Sequence, residues 1–277
     1  MDVLTATRTG QHAVTVTEHR FPAATLARVT RDDLEERAAS RQGPAARPLL
    51  PPAARVPAVV VLAVCVVVAA VLGAMYAHQS QAGWLDAKAD AWVQSLLAGH
   101  PALLNRVALL GSPVPMIAMT AAMALACLVT RRRRGALFVV IAVPLAAVLT
   151  GWVLKPLIGR TLHGYLSFPS GHTTSVFAVA AVLAVLLTGP LQPRLAASVR
   201  LLCVLAAFAA ASATATAMVG MGAHYFTDAV GGVAVAVGTV LATALAIDRF
   251  VPAGVQRKPV SAPIGSAESS SLRRVWR

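Results

Sequence analysis

Two short polar motifs stand out in a chain that is otherwise poor in ionisable residues. The tetrapeptide Pro169-Ser-Gly-His172 precedes one long apolar segment, and His224 lies four residues before Asp228 at the start of another. Because residues four apart share a helix face, the Asp228 carboxylate can accept a hydrogen bond from one nitrogen of His224 if the helix begins near Ala223. The other nitrogen can then act as a nucleophile, which leaves His172 as the acid. His224, His172 and Asp228 are therefore the candidate catalytic residues.

A second group of residues could hold a phosphate next to these motifs. Lys155 and Arg160 offer positive charge and donors for phosphate oxygens. Ser170 and Gly171 open a predicted helix, whose free amides favour an anion. The residues together fit a two-step phosphoryl transfer through a phosphohistidine, with catalysis by positioning and electrostatic stabilisation. No metal and no other cofactor is predicted, because the sequence has no carboxylate cluster to hold an ion.

These motifs resemble those of the type 2 phosphatidic acid phosphatase family, which shares its site design with vanadium haloperoxidases. The family pattern is Lys-x6-Arg-Pro, then Pro-Ser-Gly-His, then Ser-Arg-x5-His-x3-Asp; Lys155, residues 169–172, His224 and Asp228 match it. The resemblance covers roughly residues 57–247. It implies six membrane helices, no metal, His224 as nucleophile with Asp228 as its partner, a general acid at position 172, and Lys155 as a phosphate ligand.

Two arginines of the family pattern are absent. Leu162 and His163 stand where Arg-Pro is expected, and Ala217-Met218 where Ser-Arg is expected. Arg160 is a candidate to take over one phosphate contact, and His163 is a further candidate site residue. The departures predict weaker phosphate binding, an altered head group, or a site that binds without turnover.

The composition is that of a polytopic membrane protein. Of 277 residues, 57% are hydrophobic and 13% are charged, against about 25% charged in soluble domains. Six segments approach the roughly 20 apolar residues that a spanning helix needs: 57–77, 107–130, 135–154, 172–190, 201–222 and 229–247. Residues 83–97 combine charges with tryptophans, which predicts a helix lying in the interface. The predicted fold is all-α, with one membrane domain at residues 56–248.

Basic residues predict the orientation of this domain. Eight arginines precede the first span, four form the run 131–134, two lie in the next loop on that side, and six basic residues follow the last span. These are 20 of the 24 Lys and Arg residues, and cytoplasmic loops carry such an excess. Both termini are therefore predicted to be cytoplasmic, and the site to face outside at the plasma membrane. The flanking segments 1–55 and 249–277 are predicted to be mostly disordered.

The predicted function is hydrolysis of a lipid phosphate monoester or pyrophosphate. Polyprenyl phosphates and pyrophosphates, phosphatidic acid and phosphatidylglycerol phosphate all fit, and the bilayer is the expected partner. The net charge of +13 does not indicate nucleic-acid binding, because the cations lie in blocks between apolar segments. The alternatives are an inactive homologue that binds lipid phosphate and, less favoured, an ion transporter, which would place its charges near mid-membrane. The sequence does not indicate an oligomeric state.

Overall fold

The computed structural model of the protein describes residues 48–189 and 196–251. Within them the chain is almost entirely helical, as predicted. The helices are α1 (Pro52–Met75), α2 (Trp84–Leu97), α3 (Pro101–Ala108), α4 (Pro113–Val129), α5 (Arg133–Val148), α6 (Lys155–Ile158), α7 (Gly171–Thr188), α8 (Ala197–Gly220) and α9 (Phe226–Phe250). A 3₁₀ turn (Leu109–Gly111) follows α3, and a π-helical turn (Leu149–Leu154) joins α5 to α6. The segments 1–47 and 252–277, which include most of the predicted disorder, lie outside the described residues.

Five continuous helical segments are long and apolar enough to cross a membrane: α1, α5 with α6, α7, α8 and α9. The remaining predicted span is broken, because α3 with its 3₁₀ turn meets α4 at 47°. The break falls at Pro113, which lacks an amide hydrogen and therefore starts a helix more readily than it continues one. Counted as one span, the bent pair completes the six spans that the sequence predicts.

The first span starts earlier than the sequence analysis placed it. The helix begins at Pro52, at a position where a missing amide hydrogen is harmless. Leu49 and Leu50, assigned to the disordered segment, are buried. Their amides donate to the Asp248 carboxylate at 2.8 and 2.9 Å. The ordered structure therefore extends several residues before the predicted boundary at residue 56.

Helices α7 and α9 form the centre of the bundle. About two thirds of their apolar spans is buried inside the protein (67% and 61%), against 11% for α1. Small and β-branched residues such as Ala178, Val182, Ala236 and Val240 fill the contact and are fully buried. Without a hydrophobic force between helices in lipid, such small residues provide the close packing that holds them together.

Two glycines in α9 set how closely this helix approaches the start of α7. A Cβ atom on Gly231 would lie 2.5 Å from the Phe168 ring, and one on Gly232 would lie 2.8 Å from the Ser170 carbonyl oxygen. Only glycine leaves room for these contacts. The start of α9 is thereby held against the loop that carries Ser170.

A short hairpin between α6 and α7 was not predicted. Strands β1 (Thr161–Leu162) and β2 (Tyr165–Leu166) pair in antiparallel fashion. The loop residues His163 and Gly164 both have positive φ, 51° and 84°. Such a two-residue loop matches the twist of the flanking strands.

Candidate active site

His224 and Asp228 lie at the entrance of α9, His224 in the preceding loop and Asp228 in the first turn. The His224 Nδ1 and Asp228 Oδ2 atoms are 3.5 Å apart. This is longer than an ordinary hydrogen bond, as is common for catalytic contacts before substrate binds. Asp228 is fully buried, and His224 is 9% exposed. The structure therefore brings together the pair that the four-residue spacing predicts.

The loop before α7 is hydrogen-bonded to the first turn of α9, which carries Asp228. The Ser170 amide donates to the Asp228 carbonyl oxygen at 3.0 Å. The Ser170 hydroxyl oxygen accepts hydrogen bonds from the Thr173 amide at 3.4 Å and the Thr173 hydroxyl at 3.1 Å, so it caps α7. Ser170 is fully buried, so its side chain acts on the helix. The amides of Gly171 and His172, which have no carbonyl partner in the first helical turn, are better placed to bind an anion.

His172 and Lys155 complete the cluster. His172 is half-buried and packs on the 3₁₀ turn, where a Cβ atom on Gly111 would lie 2.9 Å from the His172 Cβ. Positive charge on His224 or Lys155 repels a positive charge on the His172 ring, whereas the Asp228 carboxylate attracts the Lys155 ammonium. The Lys155 Nζ atom donates to the Leu166 carbonyl at 2.8 Å, which anchors it to the hairpin.

A cavity of about 730 Å³ opens beside this cluster. Its lining includes Lys155, Gly171 and His172, together with the hydroxyl-bearing residues Thr120, Thr150 and Ser175. Its walls come mainly from apolar residues of α4 and α5, among them Met116, Ile117, Val140, Val143 and Ala147. His224 lies outside the lining of this cavity. The cavity thus joins a cationic, histidine-bearing end to an apolar wall within the membrane domain.

Arg160 lies in an environment that the sequence analysis did not anticipate. Its Nη1 atom contacts Asp228 Oδ1 at 2.6 Å, and its Nη2 atom contacts Asp86 Oδ2 at 2.6 Å. The guanidinium lies between the rings of Tyr76 and Tyr225, 4.1 and 4.2 Å from their centroids. Arg160 is fully buried, although its Nε atom finds no acceptor among the described residues. This environment argues against the predicted role of Arg160 as a phosphate ligand.

Helix α2 contributes two carboxylates to this region, which was not predicted. Asp86 Oδ1 accepts the Thr227 amide at 2.9 Å, and Asp90 Oδ1 accepts the Phe226 amide at 2.9 Å. Burial raises the pKa of Asp90 to about 6, and the neighbouring carboxylates add to the effect. The signal was present in the sequence, because two aspartates four residues apart share one helix face.

The remaining predicted residues are placed as follows. His163 is exposed at the tip of the hairpin, where its positive φ serves the turn. Met218, at the position of a missing family arginine, is buried. Its carbonyl accepts the amides of Ala223 and His224 at 3.0 and 3.3 Å, so this position shapes the loop through its backbone. Residues 48–189 and 196–251 hold no group of three or more His, Cys, Asp or Glu side chains that could bind a metal.

The fold and the site together define a multi-pass helical membrane protein with two histidines, an aspartate and a lysine gathered at one end of its bundle. Residues 150–251 match the model of the PAP2 superfamily, which confirms the resemblance inferred from the motifs.

One solved structure is similar to this chain: the first transmembrane PAP2 type phosphatidylglycerolphosphate phosphatase from Bacillus subtilis. The two are 17% identical and superpose with a TM-score of 0.53, covering 70% of this chain and 96% of the other. At this identity the likeness concerns the fold. A search of curated proteins found no match.

Proposed function

We propose that the protein is a membrane lipid phosphatase that works through a phosphohistidine on His224. The observation that carries this proposal is the hydrogen bond from the Ser170 amide to the Asp228 carbonyl oxygen. It joins the loop of His172 to the loop of His224, which supports a shared site where both imidazoles act on one phosphorus atom. The match of residues 150–251 to the PAP2 superfamily supports the same chemistry.

The proposed reaction has two displacement steps. The lone pair of His224 Nε2 forms a bond to phosphorus as the bond to the lipid oxygen breaks, and His172 gives that oxygen a proton. His172 then takes a proton from water, whose oxygen attacks phosphorus and breaks the N–P bond. Asp228 accepts a hydrogen bond from the Nδ1–H group of His224 and so fixes its tautomer. Lys155 and the amides of Gly171 and His172 bind the phosphoryl oxygens.

The apolar cavity supports a lipid substrate. A phosphate at the Lys155 and His172 end would place the attached chains along the walls formed by α4 and α5. Burial of apolar groups there would add affinity that a soluble phosphate ester lacks. The similar structure is named as a phosphatidylglycerolphosphate phosphatase, so that lipid belongs in any substrate panel beside phosphatidic acid and polyprenyl phosphates and pyrophosphates.

The proposed orientation places the site at the outer face of the plasma membrane. Asp228 lies in the first turn of α9, and Arg134, the last residue of the basic run, contacts the Ile247 carbonyl in its last turn. The basic run and the site are therefore at opposite ends of one spanning helix. Since cytoplasmic loops carry the excess of Lys and Arg, the end that carries the site faces outward.

A second candidate function is binding of lipid phosphate without hydrolysis. Two family arginines are replaced, and Arg160, the candidate substitute, is engaged by two buried carboxylates. This arrangement leaves Lys155 as the cationic side chain of the predicted phosphate set.

Phosphate release from purified protein in detergent decides between the two functions. The panel is phosphatidic acid, phosphatidylglycerol phosphate, and a polyprenyl phosphate and pyrophosphate, each with and without EDTA. We expect release that survives EDTA, is inhibited by vanadate, and is abolished in His224→Ala and in His172→Ala. Binding of the same lipids without release would support the second function, and release that persists in His224→Ala would refute the phosphohistidine.

A further inference from the structure

The structure surrounds Arg160 with two carboxylates rather than one. Its two terminal nitrogens contact different partners, Asp228 on one side and Asp86 on the other, both at 2.6 Å. Asp86, Arg160 and Asp228 are all fully buried. Asp86 belongs to the interfacial helix α2, far from Asp228 in sequence and outside the matched family region. Removing charges from water is unfavourable, so the contacts within this buried ion cluster must offset a large desolvation cost.

The two oxygens of Asp228 have separate tasks. Oδ1 accepts from Arg160 Nη1 at 2.6 Å. Oδ2 faces the Tyr225 amide at 3.2 Å and the His224 Nδ1 atom at 3.5 Å. The carboxylate can orient the imidazole only while Oδ2 stays available to it.

Asp86 prevents Arg160 from taking both of these oxygens. An arginine and a carboxylate prefer a bidentate arrangement, with two parallel N–H···O contacts. In this structure the second terminal nitrogen is held by Asp86, so Arg160 meets Asp228 through Oδ1. Without Asp86, the guanidinium would be free to turn and claim Oδ2, in competition with His224.

Helix α2 also fixes the peptide segment that carries Asp228. Asp86 Oδ1 accepts the Thr227 amide, and Asp90 Oδ1 accepts the Phe226 amide. These amides open α9 and have no carbonyl partner within the helix. The hydroxyl of Thr227 further accepts from Arg160 Nη1 at 2.7 Å. Asp86 therefore holds both the Arg160 guanidinium and the Thr227 amide next to Asp228.

We infer that Asp86 is a positioning residue for the His224–Asp228 pair, and that Arg160 transmits its effect instead of binding phosphate. The inference rests on the proposed function, because it assigns Asp86 a role in orienting the nucleophile. Asp86 holds one arm of Arg160, Arg160 holds one oxygen of Asp228, and the other oxygen remains for the imidazole.

The kinetic test compares Asp86→Asn with Asp248→Asn, a buried aspartate at the opposite end of α9. We expect Asp86→Asn to lower kcat roughly tenfold to a hundredfold, as misplacement of a reacting group does. The KM and the inhibition constant of inorganic phosphate should stay within about twofold, since Lys155 and the helix amides are untouched. Asp248→Asn should leave kcat unchanged. An unchanged kcat in Asp86→Asn would overturn the inference, as would an inhibition constant of phosphate that rises as much as kcat falls.

A second measurement does not depend on turnover. The ring ¹⁵N shifts of histidine-labelled protein report which nitrogen carries the proton, and the His224 signals are those that disappear in His224→Ala. We expect the Nδ1–H tautomer in the unmutated protein and a substantial share of the Nε2–H tautomer in Asp86→Asn. An unchanged tautomer refutes the role of Asp86. If the unmutated protein releases no phosphate from any lipid, the proposed function fails while this comparison still decides the inference.

The variant Asp86→Glu covers the case in which Asp86→Asn does not fold. It keeps the charge but moves the carboxylate by one methylene, which should displace Arg160. We expect a folded protein with lowered kcat and an unchanged inhibition constant of inorganic phosphate. A glutamate variant as fast as the unmutated protein would contradict the inference.

Discussion

Helix α9 carries a buried arginine–aspartate contact at each end, and the two differ in what they touch. Near its last turn, Arg134 donates to the carbonyls of Ile247 and Val251 at 2.9 and 3.0 Å and lies 3.4 Å from Asp248. Near its first turn, Arg160 contacts Asp228 at 2.6 Å. The aspartates are twenty residues apart, which is about 30 Å along a helix.

The cluster at the C-terminal end follows from helix physics alone. Carbonyls at a helix C-terminus lack partners, and a cation there satisfies them and the helix dipole. Asp248 in turn accepts the amides of Leu49 and Leu50, which ties the start of the described chain to α9. Among the described residues, these contacts connect α5 and the residues just before α1 to the end of α9.

The cluster at the N-terminal end also connects separate segments, and in addition it lies next to the His224 imidazole. Asp228 caps its own helix through the Tyr225 amide and faces His224 with the same oxygen. The two ends use similar residue types, but among the described residues the contacts at the N-terminal end reach a candidate catalytic histidine.

The largest expected difference between the ends is in turnover. Asp228→Asn should reduce phosphate release roughly a thousandfold to ten-thousandfold per folded molecule, since an amide at this position favours the wrong imidazole tautomer. Asp248→Asn should retain the full rate while it loses about 1–3 kcal/mol of stability, because one of two buried amides loses its acceptor. Steady-state assays paired with thermal unfolding measure both. Comparable rate losses in the two variants would remove the distinction.

The next difference concerns stability. Arg160→Gln leaves two fully buried carboxylates close together, so we expect a loss of about 3–5 kcal/mol in the free energy of unfolding. Arg134→Gln leaves a single carboxylate that keeps its amide partners, and its loss should be about 1–3 kcal/mol. Equilibrium unfolding in detergent micelles compares the variants. Equal losses would mean that the second carboxylate adds nothing.

A smaller effect should follow from crowding the aromatic contact on Arg160. A Cβ atom on Gly83 would lie 2.7 Å from the Tyr76 ring and push it against the guanidinium, whereas a Cβ atom on Gly99 meets nothing within 4 Å. We expect Gly83→Ala to lose about 1–3 kcal/mol of stability and Gly99→Ala to change it by less than about 0.5 kcal/mol. Thermal unfolding of the two variants makes the comparison, and a Gly83→Ala protein as stable as its control would contradict it.

The smallest effect should come from Asp90. Its pKa is raised to about 6 from the usual 3.8, mainly by burial. The folded state therefore binds more protons than the unfolded state between about pH 4 and pH 6, so stability declines as pH rises through that window and then levels off. Asp90→Asn should flatten this part of the profile. Unfolding midpoints measured across the window test it, and an identical decline in the variant would exclude Asp90 as its source.

Much of the fold was predictable from local sequence. Long apolar segments fixed five continuous spans, and the tryptophans and charges of residues 83–97 predicted helix α2. The bend between α3 and α4 was harder to predict, although Pro113 indicates a helix start. The hairpin was missed because its strands have only two residues each, too few for an alternating pattern to be recognised.

The His224–Asp228 contact was predicted, but the structure forms it in a different way from the shared helix face that the spacing suggests. His224 precedes α9, which begins at Phe226, so the 3.5 Å approach to Asp228 comes from the loop that leads into the helix. Arg160 follows Lys155 by five residues, yet its guanidinium enters the protein interior. That placement depends on Asp86, Tyr76 and Tyr225, which come from other parts of the chain. Contacts between distant elements leave no local pattern, so sequence spacing could not predict them.

The acidic residues of α2 have a consequence for how this protein can be shortened. The family region at residues 150–251 contains every residue of the recognisable motifs, yet Asp86 and Tyr76 lie outside it. A fragment limited to that region would keep the arginine and lose one of its two counter-charges, together with the partners of the first amides of α9. A shortened protein that keeps these contacts must therefore begin before Tyr76, ahead of helix α2.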